Sequence, residues 1–100
     1  MYLNKDQISK IGLFFRDKPV KKVYLFGSYA IGEATEKSDI DLLIESEKDF
    51  DILHFQMQMD ELRSSLNKKI DVVSIGALRP DRLFTKFVME QKVMLYENKD

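Results

Sequence analysis

The stretch Leu25–Glu45, LFGSYAIGEATEKSDIDLLIE, decides how the chain is read, because it ends one apolar run in a glycine turn and opens another with an Asp-x-Asp pair. Gly27 has no Cβ, so backbone N–H groups around it can approach an anion closely, and a short helix over Ser28–Gly32 would point its positive end at that anion. The Ser28 hydroxyl adds a donor. Asp39 and Asp41 flank Ile40, and the alternation of side chains along a strand puts both carboxylates on one face with Ile40 and Leu42 on the other. Because Leu42, Leu43 and Ile44 follow, the acids stand at the start of a buried strand and are held by its packing. Fixed acids beside a turn open to phosphate suit a nucleoside triphosphate and its metal.

A third acid, Asp71, lies in Ile70–Ser74, a short apolar run expected to be a strand beside the one that carries Asp39 and Asp41. Three converging carboxylates raise one another's pKa, and a hard divalent ion, Mg²⁺ or Mn²⁺, supplies the compensating charge. In a two-metal arrangement one ion lowers the pKa of an attacking hydroxyl while the other binds the triphosphate and the departing pyrophosphate. Each residue alone has a plainer reading: Gly27-Ser28 an ordinary strand-ending turn, Ser38-Asp39 a loop cap, Asp71 a solvent-facing strand residue. Their joint spacing favours nucleotide and metal binding. The EF-hand reading fails, since that loop's spaced acids, central glycine and closing glutamate are missing.

The other elements follow from periodicity. Asn4 and Gln7 form a capping-box pair ahead of Ile8, Ile11, Phe14 and Phe15, which predicts an amphipathic helix from Asn4 to about Asp17. Val20–Phe26 reads as the first strand, Glu33–Ser38 as a polar loop and Asp39–Glu45 as the second strand. From about Phe50, the residues Ile52, Phe55, Met59, Leu62 and Leu66 recur at alternating steps of three and four, predicting a second long helix. Pro80 is expected to open a last helix with Leu83, Phe84, Phe87 and Val88 facing inward, and Val93–Tyr96 to be an edge strand. The order predicts a single α/β (α+β) domain over residues 1–100, a mixed sheet of about four strands packed against helices.

Composition narrows the classes. A net charge of −1 argues against a sequence-independent nucleic-acid binder, and the lack of cysteine excludes disulfides and thiolate metal sites. The polar start MYLNKDQ has no apolar signal core and no run approaches a membrane span, so a soluble cytoplasmic protein is expected. His54, the one histidine, reads as a surface or boundary residue, and Phe55, Met57 and Met59 as helix packing. Lys21-Lys22 and Lys68-Lys69 read as solvated element ends, and Arg79, Arg82 and Lys86 as one solvated side of the last helix. Tyr29 reads as packing under the short helix rather than a platform for a base.

Gly27-Ser28, ten intervening residues and Asp39-Ile40-Asp41 together resemble the signature of the DNA polymerase beta-like nucleotidyltransferase superfamily. The form is most similar to its minimal nucleotidyltransferase (MNT) domains, and nearly the whole chain can be laid along that branch. The resemblance implies that Gly27 and Ser28 hold the β and γ phosphates of ATP. It implies that Asp39 and Asp41 ligate two Mg²⁺ ions and that Asp71 ligates the acceptor-side ion and assists removal of the hydroxyl proton. It further implies an antitoxin that adenylylates a tyrosine of a HEPN-type toxin. Larger relatives add a domain that binds the acceptor, so here the acceptor is expected to be held by another molecule or a second subunit. The pattern departs at Ile31, where these domains usually carry arginine before the second glycine, leaving a cationic side chain near the triphosphate missing. Two alternatives stand beside this reading: a non-catalytic nucleotide-binding antitoxin that neutralises its partner by contact, and transfer to a small molecule such as an aminoglycoside at a site made by a homodimer.

Overall fold

A computed structural model describes residues 1–47 and 51–99 of the chain. Helix α1 (Lys5–Phe15) leads into β1 (Val20–Phe26), β2 (Ile40–Ser46), α2 (Ile52–Leu66), β3 (Ile70–Ser74), α3 (Leu83–Gln91) and β4 (Val93–Glu97), with one 3-10 turn over Ile75–Ala77. The expected capping box is present: Asn4 Oδ1 accepts from the Gln7 amide at 2.8 Å and Gln7 Oε1 from the Asn4 amide at 2.9 Å. At the start of α2, the Asp51 side chain accepts from the Leu53 and His54 amides; the expected start near Phe50 lies outside the described residues. Asn67 ends α2 in the left-handed region at φ 51°, a conformation its short polar side chain tolerates.

The strands form one mixed sheet in the order β3-β2-β1-β4. β1 runs antiparallel to β2 and β4, while β2 and β3 are parallel and therefore need the long crossover that α2 provides. Val23, Leu25, Ile40, Leu42, Ile44 and Ile70 pack with Ile11, Phe15, Phe55, Met59 and Leu62 of α1 and α2. Tyr24, Phe26 and Leu43 pack with Val88 of α3 in a second, smaller cluster. The period-two alternation of β2 thus divides it: Ile40, Leu42 and Ile44 join the larger core, and Asp41 and Leu43 belong to the other face.

Three local expectations change. Ser28–Gly32 is not a helix but a series of turns, closed by Ala30 N–H on Gly27 O and Glu33 N–H on Ser28 O, both at 3.0 Å. Gly27 at φ 74° and Gly32 at φ 78° leave the right-handed region at both ends, so no helical ladder propagates between them. The last helix starts at Leu83 rather than Pro80, because Arg82 is extended at φ −90°, ψ 141°; of Arg79, Arg82 and Lys86, only Lys86 lies within it. Of its four expected inward residues only Val88 is buried, while Leu83 is 83% exposed and Phe84 and Phe87 are each 54% exposed.

The packing of α2 yields a direct test. Phe55 is buried against the rings of Phe14 and Phe15, with centroids 6.2 and 5.6 Å away, whereas Met57 is 75% exposed. Phe55→Ala is expected to lower the unfolding free energy by about 3–5 kcal/mol, and Met57→Ala by less than about 0.5 kcal/mol, both measured by urea denaturation.

Candidate active site

Register brings the site together. Antiparallel pairing sets Phe26 opposite Asp41, so Gly27 follows directly beside the Asp41 side chain; parallel pairing sets Asp41 opposite Asp71. Paired residues on neighbouring strands share a face, so both carboxylates project from the side away from α1 and α2. A Cβ built on Gly27 would collide with the Asp41 carboxylate, so at this position both the positive φ and the close approach require glycine.

Gly27, Asp41 and Asp71 line one open groove of about 590 Å³. Its walls are apolar, formed by Phe26, Val72, Val73, Phe84, Phe87 and Val88, and Gln56 and Arg63 reach it from α2. Phe84 meets Phe26 edge to face at 6.2 Å. Asp39 and Ser28 are half-buried and outside this lining, as is Ile31, which is 37% exposed. Asp39 sits one residue before β2, ahead of the ladder that aligns Asp41 with Asp71.

Burial pushes the Asp41 carboxyl up to about 6, and the negative charges of Asp71 and Asp39 push in the same direction. Among the described residues no three His, Cys, Asp or Glu side chains are grouped to hold a metal ion between them. The donors that do meet are the neighbouring pair Asp41 and Asp71. Two carboxylates, in a position where added positive charge relieves repulsion, fit Mg²⁺, which takes only one or two carboxylates and completes its shell with phosphate oxygens and water.

Sequence reasoning missed the groove's other residues. Gln56 and Arg63 are seven apart on α2, a two-turn spacing that places them on one helix face, and that periodicity was the available signal. Lys68 is also not a simple solvated end: its Nζ donates to Glu36 O at 2.9 Å and Ser38 O at 3.1 Å. Tyr29 is 1% exposed, in keeping with the packing role.

This fold and groove define a nucleotidyltransferase-type α/β chain. It belongs to the "Polymerase beta, Nucleotidyltransferase" family, whose profile matches residues 9–100. A Methanocaldococcus jannaschii protein provisionally named a protein adenylyltransferase is 42% identical over 76 residues, 75% of this chain and 78% of that one. The protein adenylyltransferase MntA of Thermococcus cleftensis is 35% identical over 60 residues, 60% of this chain and 61% of that one. A crystal structure of a toxin-antitoxin with AMP-PNP is 26% identical and covers 92% of this chain and 74% of its own, with a TM-score of 0.77. The family resemblance read from Leu25–Glu45 is borne out, as is the mixed four-stranded fold. Among the described residues no helix is long and apolar enough to cross a membrane.

Two outcomes follow from this geometry. Gly27→Ala is expected to destabilise the fold and to weaken nucleotide binding, read by thermal denaturation and by titration with a fluorescent ATP analogue. The folded-state pKa of Asp41 lies above its value of 3.8 in an unfolded chain, so the native state binds this proton more tightly. Stability from this group is therefore greatest below about pH 4 and is lost as pH rises toward and past about 6. Asp41→Asn removes the ionisation, so its melting temperature is expected to exceed the wild type's at pH 8, with the difference shrinking as pH falls from about 6 to about 4. An equal difference at both ends of that range counts against the crowding.

Proposed function

We propose that this chain is a Mg²⁺-dependent protein adenylyltransferase that uses ATP to modify a tyrosine of a HEPN-type partner in the cytoplasm, and so serves as the antitoxin of a toxin-antitoxin pair. The observation that carries the reading is the placement of Asp41 opposite Asp71, against Gly27, in one groove of a polymerase beta-family chain. The named relatives support the reaction class, and the toxin-antitoxin neighbour that holds a nucleotide analogue supports the setting.

In this reading Gly27 and Ser28 hold the β and γ phosphates through backbone N–H groups and the serine hydroxyl. Asp41 and Asp71, with Asp39 just ahead of β2, would hold the divalent ions. The chemistry that magnesium held there would supply is positive charge against the triphosphate and the acceptor hydroxyl. The hydroxyl oxygen bonds to the α-phosphorus in line with the bond to the β-phosphate oxygen, which breaks to release pyrophosphate. The hydroxyl proton passes to the Asp71 carboxylate. Placement and charge stabilisation do the work without a covalent enzyme intermediate. The walls Phe26, Phe84 and Phe87 suit an aromatic acceptor over a polar sugar, which favours tyrosine over an aminoglycoside.

The test is transfer of label from α-³²P-ATP to a co-expressed HEPN partner, located by mass spectrometry. Label on a tyrosine is expected, with Asp41→Asn reducing the rate ~10²–10³-fold. The contact-only reading predicts a different result: no label, and Asp39→Asn neutralising the partner as well as the wild type does.

A further inference from the structure

Two cationic side chains bracket the turn from α2 into β3, Arg63 in the last turn of the helix and Lys68 just past its left-handed end. We propose that both are positioning residues for the acidic site, Arg63 for Asp71 and Lys68 for the Asp39–Asp41 segment. The inference rests on the reading that these carboxylates bind a divalent cation.

β3 is an edge strand, so one side of it has no neighbouring strand to pair its backbone. Arg63 fills that role at the residue before Asp71: Nε and Nη2 donate to the Ile70 carbonyl at 3.1 and 2.8 Å. Nη1 donates to Gln56 O at 3.4 Å and to Asp60 Oδ1 at 3.0 Å, and Nη2 also donates to Gln56 Oε1 at 3.2 Å. A guanidinium has five N–H groups, and these contacts engage all of them. Arg63 therefore cannot take a phosphate without releasing the strand, although it lines the groove. Its chemistry here is fixation of the backbone that carries Asp71.

Lys68 performs the matching task on the other strand. Its two bonds, to Glu36 O and Ser38 O, span some thirty residues of sequence and tie the polar loop to the start of β3. The ammonium also lies 5.2 Å from the ring centroid of buried Tyr29. Ser38 O belongs to the peptide unit that joins Asp39, and the next residue's amide, Ile40 N–H, donates to Lys69 O at 3.0 Å. Strand ladders fix register along their length, whereas the residues that lead into a strand open more readily unless something ties them down. Arg63 and Lys68 hold the first residues of β3 and the approach to β2, the backbone from which Asp71 and Asp39 project.

The test is Mn²⁺ binding to the full chain without nucleotide, followed by electron paramagnetic resonance, with thermal melting in parallel. Lys68→Met and Arg63→Met are each expected to weaken Mn²⁺ binding by about 10- to 100-fold, as loss of outer-shell support does. Lys68→Arg is expected to recover most of the affinity, because its fork can reach both carbonyls. Arg63→Lys is expected not to recover it, because an ammonium cannot present two parallel N–H groups, and this variant carries the test if Arg63→Met does not fold. Wild-type binding lost in Asp41→Asn but unchanged in Lys68→Met and in the Arg63 variants overturns the positioning roles, whatever happens to the melting temperature. Wild-type binding indifferent to Asp41→Asn overturns the underlying site reading instead.

Discussion

Two carboxylates that repel each other stand at one level of neighbouring parallel strands, and the rest of the architecture makes that tolerable. Asp41 and Asp71 are partners in the β2–β3 ladder, so no rotation of either backbone separates them without breaking strand pairing. Gly27 closes the third side, because the absence of a Cβ lets the Asp41 carboxylate lie against its backbone. The cost appears as the raised pKa of Asp41. It is offset on the opposite face, where Ile40, Leu42 and Ile44 of the same strand are completely buried under α1 and α2. One strand thus anchors the fold with one face and presents Asp41 to the groove with the other.

That division is legible in the sequence because it rests on strict alternation. Ile40-Asp41-Leu42-Leu43-Ile44 reads as a strand buried on both faces except where an acid interrupts one of them, and the register follows once β1 and β3 are recognised as its neighbours. The capping box at Asn4 is equally local. Glycine chemistry is legible in part: Gly27 reads as an open approach, but the helix expected after it requires right-handed backbone at residues that two positive-φ glycines enclose. A phosphate at this turn would meet individual amides rather than the end of a helix dipole, since a series of turns has no aligned peptide dipoles to sum.

The less legible part is whatever depends on what covers what. The spacing of Leu83, Phe84, Phe87 and Val88 correctly marks an apolar stripe, but periodicity says only that a face is apolar, not how wide its cover is. The sheet offers α3 a small cluster of Tyr24, Phe26 and Leu43, enough to bury Val88 while Phe84 and Phe87 turn toward the groove. The cations at 63 and 68 escape a sequence reading for a related reason. A charged residue near a helix end is usually solvated, and only the topology reveals that β3 is an edge whose outward carbonyl needs a donor.

The three acids also differ in ways that spacing could not show. Asp39 and Asp41 have the same parity, which puts them on the same face of an ideal strand, yet of these two only Asp41 lies within the ladder, opposite Asp71. Asp39 depends on the loop before it, and that loop is held by the Lys68 ammonium, by bonds between Thr35 and Ser38 and by the Met1 amino group on Ala34 O rather than by strand pairing. The site therefore has a rigid half, set by backbone register, and a half set by tethers. Register is insensitive to most surface substitutions, whereas each tether is a single side-chain group that one substitution removes. Variation in how well such a site is assembled should consequently arise at the two ends that side chains hold, the approach to β2 and the first residues of β3, while the register that pairs Asp41 with Asp71 persists as long as the sheet does.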